Sequence, residues 1–419
     1  MPIMVFKGGD IYVVDRANNY LGKLFLISLL FLALLIFHGK LAYSEEARGV
    51  TKDWIKIGSI ADHTGLTSNI GVLVIQAYKN FFRDINEKGG IHGRKVKLTM
   101  EDDRYSIPAG IAAFKKLVFR DQVLVILGPI SIGEAKVLFR HIERYKIPTL
   151  PWAPDRSMME PYKRYVFPTN GFYDSELGVI FEYIIKELRH PNPIIGLCTP
   201  DVESGKVVKR ATEEWARFFG VKLYVEILPT ALVDVTSNVM NMRKERVTHI
   251  LIHSVAPGAA MLLKNMKNLG FNVPVFGTSA TCTEDIITLS GDASRNYVGA
   301  SPYSSWYEES PGMAKVREIS MKYNPGAEKS YQIKSYTLGW VIPVILCEGL
   351  RRAGRDLDGE KLVAGLETIK DLDTKGLCGL ITYTPTMHYG LNYNKLFKAD
   401  PKSGKLIPIT EWKLPPAKK

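Results

Sequence analysis

A chain of 419 residues, 46% hydrophobic and 10% aromatic, is an ordinary globular composition with room for two or three domains, which excludes a fibrous or disordered protein. Its formal charge is +12, of which +2 lies in the first 44 residues, and the Lys and Arg residues are dispersed. They read as solvated surface, so no nucleic-acid partner is expected. The four cysteines, Cys198, Cys282, Cys347 and Cys378, are too few for a disulfide scaffold and show no Cys-x-x-Cys spacing. Zero, one or two bridges remain open, and no metal or cofactor is expected.

Residues 1–44 stand apart. Scattered basic residues (Lys7, Arg16, Lys23) precede the uncharged run Leu24–Phe37, and small residues (Ala42, Ser44) follow it. That is the order of a secretory signal peptide, and the run is shorter than the roughly 20 apolar residues a spanning helix needs. A cleaved signal is therefore expected over an uncleaved anchor, with no membrane insertion once the signal is removed.

From Trp54 the chain alternates. "WIKIGSIA" predicts a strand, and a helix from about 69 to 87 places Val74, Tyr78, Phe81, Phe82 and Ile85 on one face. Gly89 and Gly90 stop that helix. Because the strand "KVKLTME" follows them, they are not a phosphate loop, which needs strand, glycines and helix in that order. Helices near 108–121 and 132–145 flank the strand at 123–128, and "IPTLPW" is the next strand. A second alternating set follows: helix 174–189, "PIIGLCT", helix 203–219, "KLYVEIL", helix 235–246, "HILIHS", helix 257–269 and "VPVFGT". Helices near 311–324, 330–353 and 358–369 come next, and the β-like segments "GLITYTP", "NYNKLFKAD" and "KLIPITEW" close the chain. Two successive alternating sets imply two doubly wound parallel-sheet domains, hence an α/β fold.

Several stretches resemble one family, the bilobed periplasmic solute-binding proteins of branched-chain amino acid ABC transporters. Ile57, Gly58, Thr64, Gly65 and "DINEKGGIHGRKVKL" match its opening, and "EDDRYSIPAGIAAFKKLVFRDQVLVILGP", with Asp102 and Asp103, its next signature. "NLGFNVPVFGTS" and "LSGDASRNYVGAS" match later segments. The resemblance implies two Rossmann-like lobes joined by three crossovers and closing on a small ligand. Lobe 1 would be 51–170 plus 301–388, and lobe 2 would be 171–300 plus 389–419. It further implies a periplasmic location and an ABC transporter permease as partner. A sensory module acting through a separate membrane receptor is the alternative.

The resemblance also marks a cleft at the carboxyl ends of the strands. The family serine four residues after Gly128 is here Ile132, with Ser131 adjacent, either as helix cap or as ligand contact. In "PWAPD", Ala153 stands on the family alanine and Asp155 on its threonine. Asp155 is either a contact or a turn residue before a capping box of Ser157 and Glu160. Trp152 walls the pocket or fills a core gap. In "DVESG", Ser204 replaces the usual aromatic. Ser279, Ala280 or Thr281 occupies the region of the acid that holds an ammonium, and Glu284 and Asp285 read as first-turn helix residues. Tyr173, Tyr303 and Trp306 are rim aromatics or packing residues.

These departures can be weighed. Binding at about 1 μM needs roughly 8 kcal/mol, whereas burying a leucine-sized side chain gives about 1.5 to 3 kcal/mol. With the serine, threonine and acid positions altered together, an ordinary amino-acid zwitterion lacks its charge-assisted anchors. The expected ligand is therefore not a standard α-amino acid but an amine-bearing, polyol-like or largely apolar solute. An enzyme is not expected: no Gly-x-Gly-x-x-Gly follows a strand, and no Gly-x-Ser-x-Gly or His-Glu-x-x-His occurs.

Overall fold

The computed structural model describes residues 3–14, 47–229 and 234–418, in two compact units, Met1–Glu46 and Ala47–Lys419. In the first unit, β1 (Ile3–Lys7) and β2 (Asp10–Val14) form an antiparallel hairpin with Lys7 opposite Asp10. Gly8 and Gly9 join them at φ 66 and 92. A two-residue turn with both φ values positive matches the twist of the paired strands, which is why Gly-Gly serves there. Sequence reading takes this stretch as the charged start of an export signal and passes over that turn chemistry. The apolar run Leu24–Phe37 and the expected cut near Ala42 and Ser44 lie outside the described residues.

The second unit carries two sheets. β3 (Trp54–Ala61), β4 (Lys95–Asp102), β5 (Val125–Leu127) and β6 (Thr149–Leu150) form an all-parallel sheet in the order β4-β3-β5-β6. Helices α1 (Ser68–Glu87), α2 (Ile107–Lys115) and α3 (Ile132–Tyr145) connect them, and α2 runs on through one π turn to Arg120. Along α1, Val74, Tyr78 and Phe82 are buried, as their spacing requires, and the helix ends before Gly89 and Gly90.

After α4 (Tyr173–Glu182) the chain builds a seven-stranded sheet. Its parallel strands are β7 (Ile194–Pro200), β8 (Lys222–Leu228), β9 (His249–Ile252), β10 (Val275–Gly277) and β11 (Tyr297–Ser301). They are wound by α5 (Glu203–Phe219), α6 (Thr236–Lys244), α7 (Ala256–Asn268) and α8 (Asp285–Ser290). Central strands such as β7 are buried nearly end to end, as expected of a sheet covered on both faces.

The chain then crosses back. α9 (Pro311–Tyr323), α10 (Glu328–Tyr331), α11 (Lys334–Ala353) and α12 (Gly359–Glu367) precede β12 (Lys395–Asp400) and β13 (Lys405–Pro408), which extend the second sheet antiparallel beside β11. Met313, Trp340, Ile345 and Leu362 share a core with Ile57, Ile126 and Phe82, so these helices belong to the first lobe. Three passages between the sheets result, after β6, after β11 and before β12, giving a two-lobed, doubly wound α/β fold.

Two expectations are corrected. The helix read at 330–353 is split, because Ile333 is extended (φ −116, ψ 131) between α10 and α11. "GLITYTP" forms no strand. Its alternation is real, with Ile381 and Tyr383 buried, but its backbone makes only single bridges, Leu372 to Ile381 and Thr384 to Met387. Alternation reports burial, and a strand also needs a continuous partner.

Candidate functional site

A cavity of about 200 Å³ lies where the carboxyl ends of both parallel sheets meet. The segments that follow β3, β4, β5, β6, β7, β8, β9, β10 and β11 all contribute lining residues. This is where an open α/β sheet places ligands, because loops leave the strand tips and helix N-termini face the gap.

On the first lobe, Asp62 is buried at the end of β3. Its carboxylate accepts the backbone N–H of Thr64 (3.1 Å) and Thr67 (2.7 Å) and the Thr67 hydroxyl (2.9 Å). That clamp fixes the loop whose Leu66, Thr67 and Ile70 line the cavity. Beyond β4, Arg104 and Tyr105 both adopt left-handed φ values of 53 and 54. Asp102 accepts the N–H of Arg104 (3.0 Å) and Asp103 that of Tyr105 (2.8 Å), holding a conformation that side chains otherwise avoid. Tyr105 thereby joins the wall. Carboxylate oxygens of Asp62, Asp102 and Asp103 converge within 4.8 Å, but each side chain is engaged by loop N–H groups, so the cluster serves the loops.

After β5, Gly128 holds φ 102, and a Cβ there would overlap the carbonyl oxygen of Ile60. The turn it permits starts α3. Ser131 is the cap, its Oγ accepting the Glu134 N–H at 3.3 Å, while Ile132 lines the cavity. Glu134 is fully buried between Asp103 and Gly110. Burial, with Asp103 and Asp62 adding to it, pushes its carboxyl up to about 9.

After β6, Pro154 reaches the cavity, whereas Trp152 and Ala153 are buried in the cores of the two lobes. Asp155 is buried outside the lining, accepting the Ser157 hydroxyl with Lys136 at 3.4 Å. The capping box read at Ser157 and Glu160 does not form. Residues Arg156–Met158 make a single 3-10 turn, and Glu160 sits beside Arg156 at 3.8 Å.

Tyr173 lines the cavity and meets His253 edge-on, with ring centroids 4.7 Å apart. Burial pushes His253 down to about 3, so it is neutral, its Nδ1 2.9 Å from the Thr278 hydroxyl. Ser204, after β7, lines the second-lobe side. Beyond β10, Ser279 lines the cavity and donates its N–H to Glu176 at 2.7 Å. Glu176 lies behind the wall, its carboxyl pushed up to about 8 by burial. Thr281 is turned inward, donating to the Thr278 carbonyl (3.1 Å) and accepting from the Tyr297 hydroxyl (2.9 Å). Ala280 and Tyr303 line the cavity, while Trp306 packs in the first core near Tyr331 and Tyr336. Asp285 opens α8 as read, whereas Glu284 precedes the helix and is buried, accepting from the Lys334 N–H and the Ser305 hydroxyl.

Of the cleft residues marked in the sequence, Ile132, Tyr173, Ser204, Ser279, Ala280 and Tyr303 thus line the cavity; Ser131, Trp152, Ala153, Asp155, Thr281 and Trp306 stand behind or beside it. Sequence reading missed Tyr105, His253, Lys334, Ser335 and Leu338. For Tyr105 the signal was available: two aspartates before Arg-Tyr are turn-formers. For Lys334 and Leu338 there was none, since they arrive from α11, far along the chain. Among the described residues the lining is mostly apolar, contains no Asp or Glu and has Lys334 as its one cation.

The sequence model of the family described as "Periplasmic binding protein" matches residues 54–404. The Leu/Ile/Val-binding protein BraC3 of Rhizobium johnstonii is 22% identical over 359 residues, covering 84% of this chain and 93% of its own. A branched-chain amino acid ABC transporter structure from Thermus thermophilus with bound valine superposes with a TM-score of 0.80 at 22% identity, covering 87% of this chain and 97% of that one. A fatty acid ABC transporter substrate-binding protein from Thermomonospora curvata gives 0.77 at 19% identity, covering 88% and 95%. No helix among the described residues is long and apolar enough to cross a membrane.

Proposed function

From the premise that this chain belongs to the periplasmic binding protein family, we propose that it is an exported receptor handing a small, largely apolar solute to an ABC transporter permease. The solute sits in the cavity between the lobes and is not a standard α-amino acid. The observation that carries this reading is the acid-free wall. A ligand ammonium would be stripped of water and meet no carboxylate there, because Glu176, Glu284 and Asp155 are buried outside the lining. Leaving a charged group unpaired costs more than apolar contact returns. The wall's apolar residues instead reward a hydrocarbon body, at about 25 cal/mol per Å² buried. The fatty acid receptor among the structural neighbours supports an apolar ligand on this fold.

The wall also supports binding over catalysis. His253 is neutral and engaged by its hydrogen bond to Thr278, and Cys282 holds its proton because burial pushes the thiol up to about 12. Calorimetric titration with leucine, isoleucine and valine is expected to give no binding tighter than about 1 mM, roughly 4 kcal/mol. Micromolar binding of any of the three would remove the ligand class proposed.

A further inference from the structure

Lys334 opens α11, lines the cavity and is only 4% exposed. Its Nζ donates to the carbonyl oxygen of Tyr303 at 3.0 Å and lies 2.8 Å from the centroid of the Phe397 ring. An ammonium carries three donors, and these contacts leave it short of acceptors. Burial pulls the Lys334 ammonium below its ordinary range, and Glu284 and Glu308 lie near enough to favour its charge without forming an ion pair with it. Glu284 accepts the Lys334 backbone N–H (3.0 Å) and the Ser305 hydroxyl (3.0 Å), and Glu308 pairs with Lys395 at 2.6 Å. Among the described residues no carboxylate forms an ion pair with Lys334. A buried cation persists when something supplies the opposite charge.

We propose that the ligand is an apolar carboxylate without an α-ammonium group, and that Lys334 is the residue selecting its carboxylate. The inference rests on the reading of the cavity as the ligand site and names the chemistry of the ligand's polar end. It joins three observations: one buried lysine without an ion pair, a wall without acids, and apolar lining from both lobes. An apolar amine would place like charge against Lys334. A neutral analogue would bring it no negative charge and no ion pair.

The test compares matched probes on the purified chain: 4-methylpentanoate, octanoate and benzoate against the amide of each, with 3-methylbutylamine as the cationic control. At least one acid is expected to bind ten to one hundred times more tightly than its amide, and the amine not at all. In Lys334→Met, checked for native folding by circular dichroism, the acid-over-amide preference should vanish while binding of the amide persists. Where Lys334→Met does not fold, Lys334→Gln is read in the same way. Equal binding of acid and amide overturns the carboxylate and leaves the apolar ligand standing. A preference retained in the folded variant overturns the role of Lys334. Failure of every acid and amide to bind at millimolar concentration overturns both this inference and the ligand class above.

Discussion

Glu134 shows how one side chain can set the pH behaviour of a lobe. It is buried in the first turn of α3 beside Asp103, with both oxygens lacking hydrogen-bond donors. With its carboxyl pushed up to about 9 by burial first and Asp103 second, the folded chain keeps a proton that the unfolded chain releases from 4.5 upward. The folded state binds more protons across that window, so stability falls as pH rises, by about 1.4 kcal/mol per unit for one proton. Above pH 9 both states are ionised and the slope from this group ends. Glu134→Gln keeps the shape and a donor toward Asp103 but holds no titrating proton. Urea melts from pH 5 to 9 should show a slope shallower by about one proton and a more stable variant at pH 8. An unchanged slope would mean that the carboxyl is already ionised in the fold.

At the scale of elements, what the sequence conveyed depended on how local the signal was. The amphipathic face of α1, the glycine stop behind it and the starts of α3 and α5 were readable because each rests on residues within a few positions of one another. The split between α10 and α11 was not, since it turns on the extended backbone of Ile333 and not on hydrophobic spacing. "GLITYTP" misled because burial alternates there without a neighbouring strand. For the cavity, the alternation of strands and helices marked the strand tips and the family resemblance pointed to Ile132, Ser204 and Ser279, but neither told which side chains turn inward. Thr281 faces the Tyr297 hydroxyl, and Asp155 faces Lys136 and Ser157. Lys334 and Leu338 come from a helix that only tertiary packing brings to the gap. Gly128 carries an element-scale prediction, because it sits at φ 102 with no space for a Cβ. Gly128→Ala should destabilise the chain by about 2 to 4 kcal/mol, through backbone strain and displacement of the start of α3. Chemical denaturation measures this, and a loss below about 0.5 kcal/mol would show that the turn relaxes freely.

Across the whole molecule, the four cysteines bear on how the fold would fare in the oxidising compartment proposed for it. Cys198, Cys282, Cys347 and Cys378 are all free and buried. Burial pushes the Cys282, Cys347 and Cys378 thiols up to about 12 and Cys198 higher still, so none offers a reactive thiolate. A native chain should show almost no reaction with a thiol-specific dye and four reactive thiols in denaturant. Its melting temperature should be the same with and without reductant. Fewer than four thiols after denaturation, or a reductant-dependent melt, would reveal a bridge.

Because loops from both sheets each supply part of one wall, neither half contains a recognition surface of its own. Exchanging one lobe for that of a relative would join two mismatched half-moulds, so chimaeras should lose affinity before they gain a new preference. A shift in the proposed ligand would therefore call for matched changes on both faces.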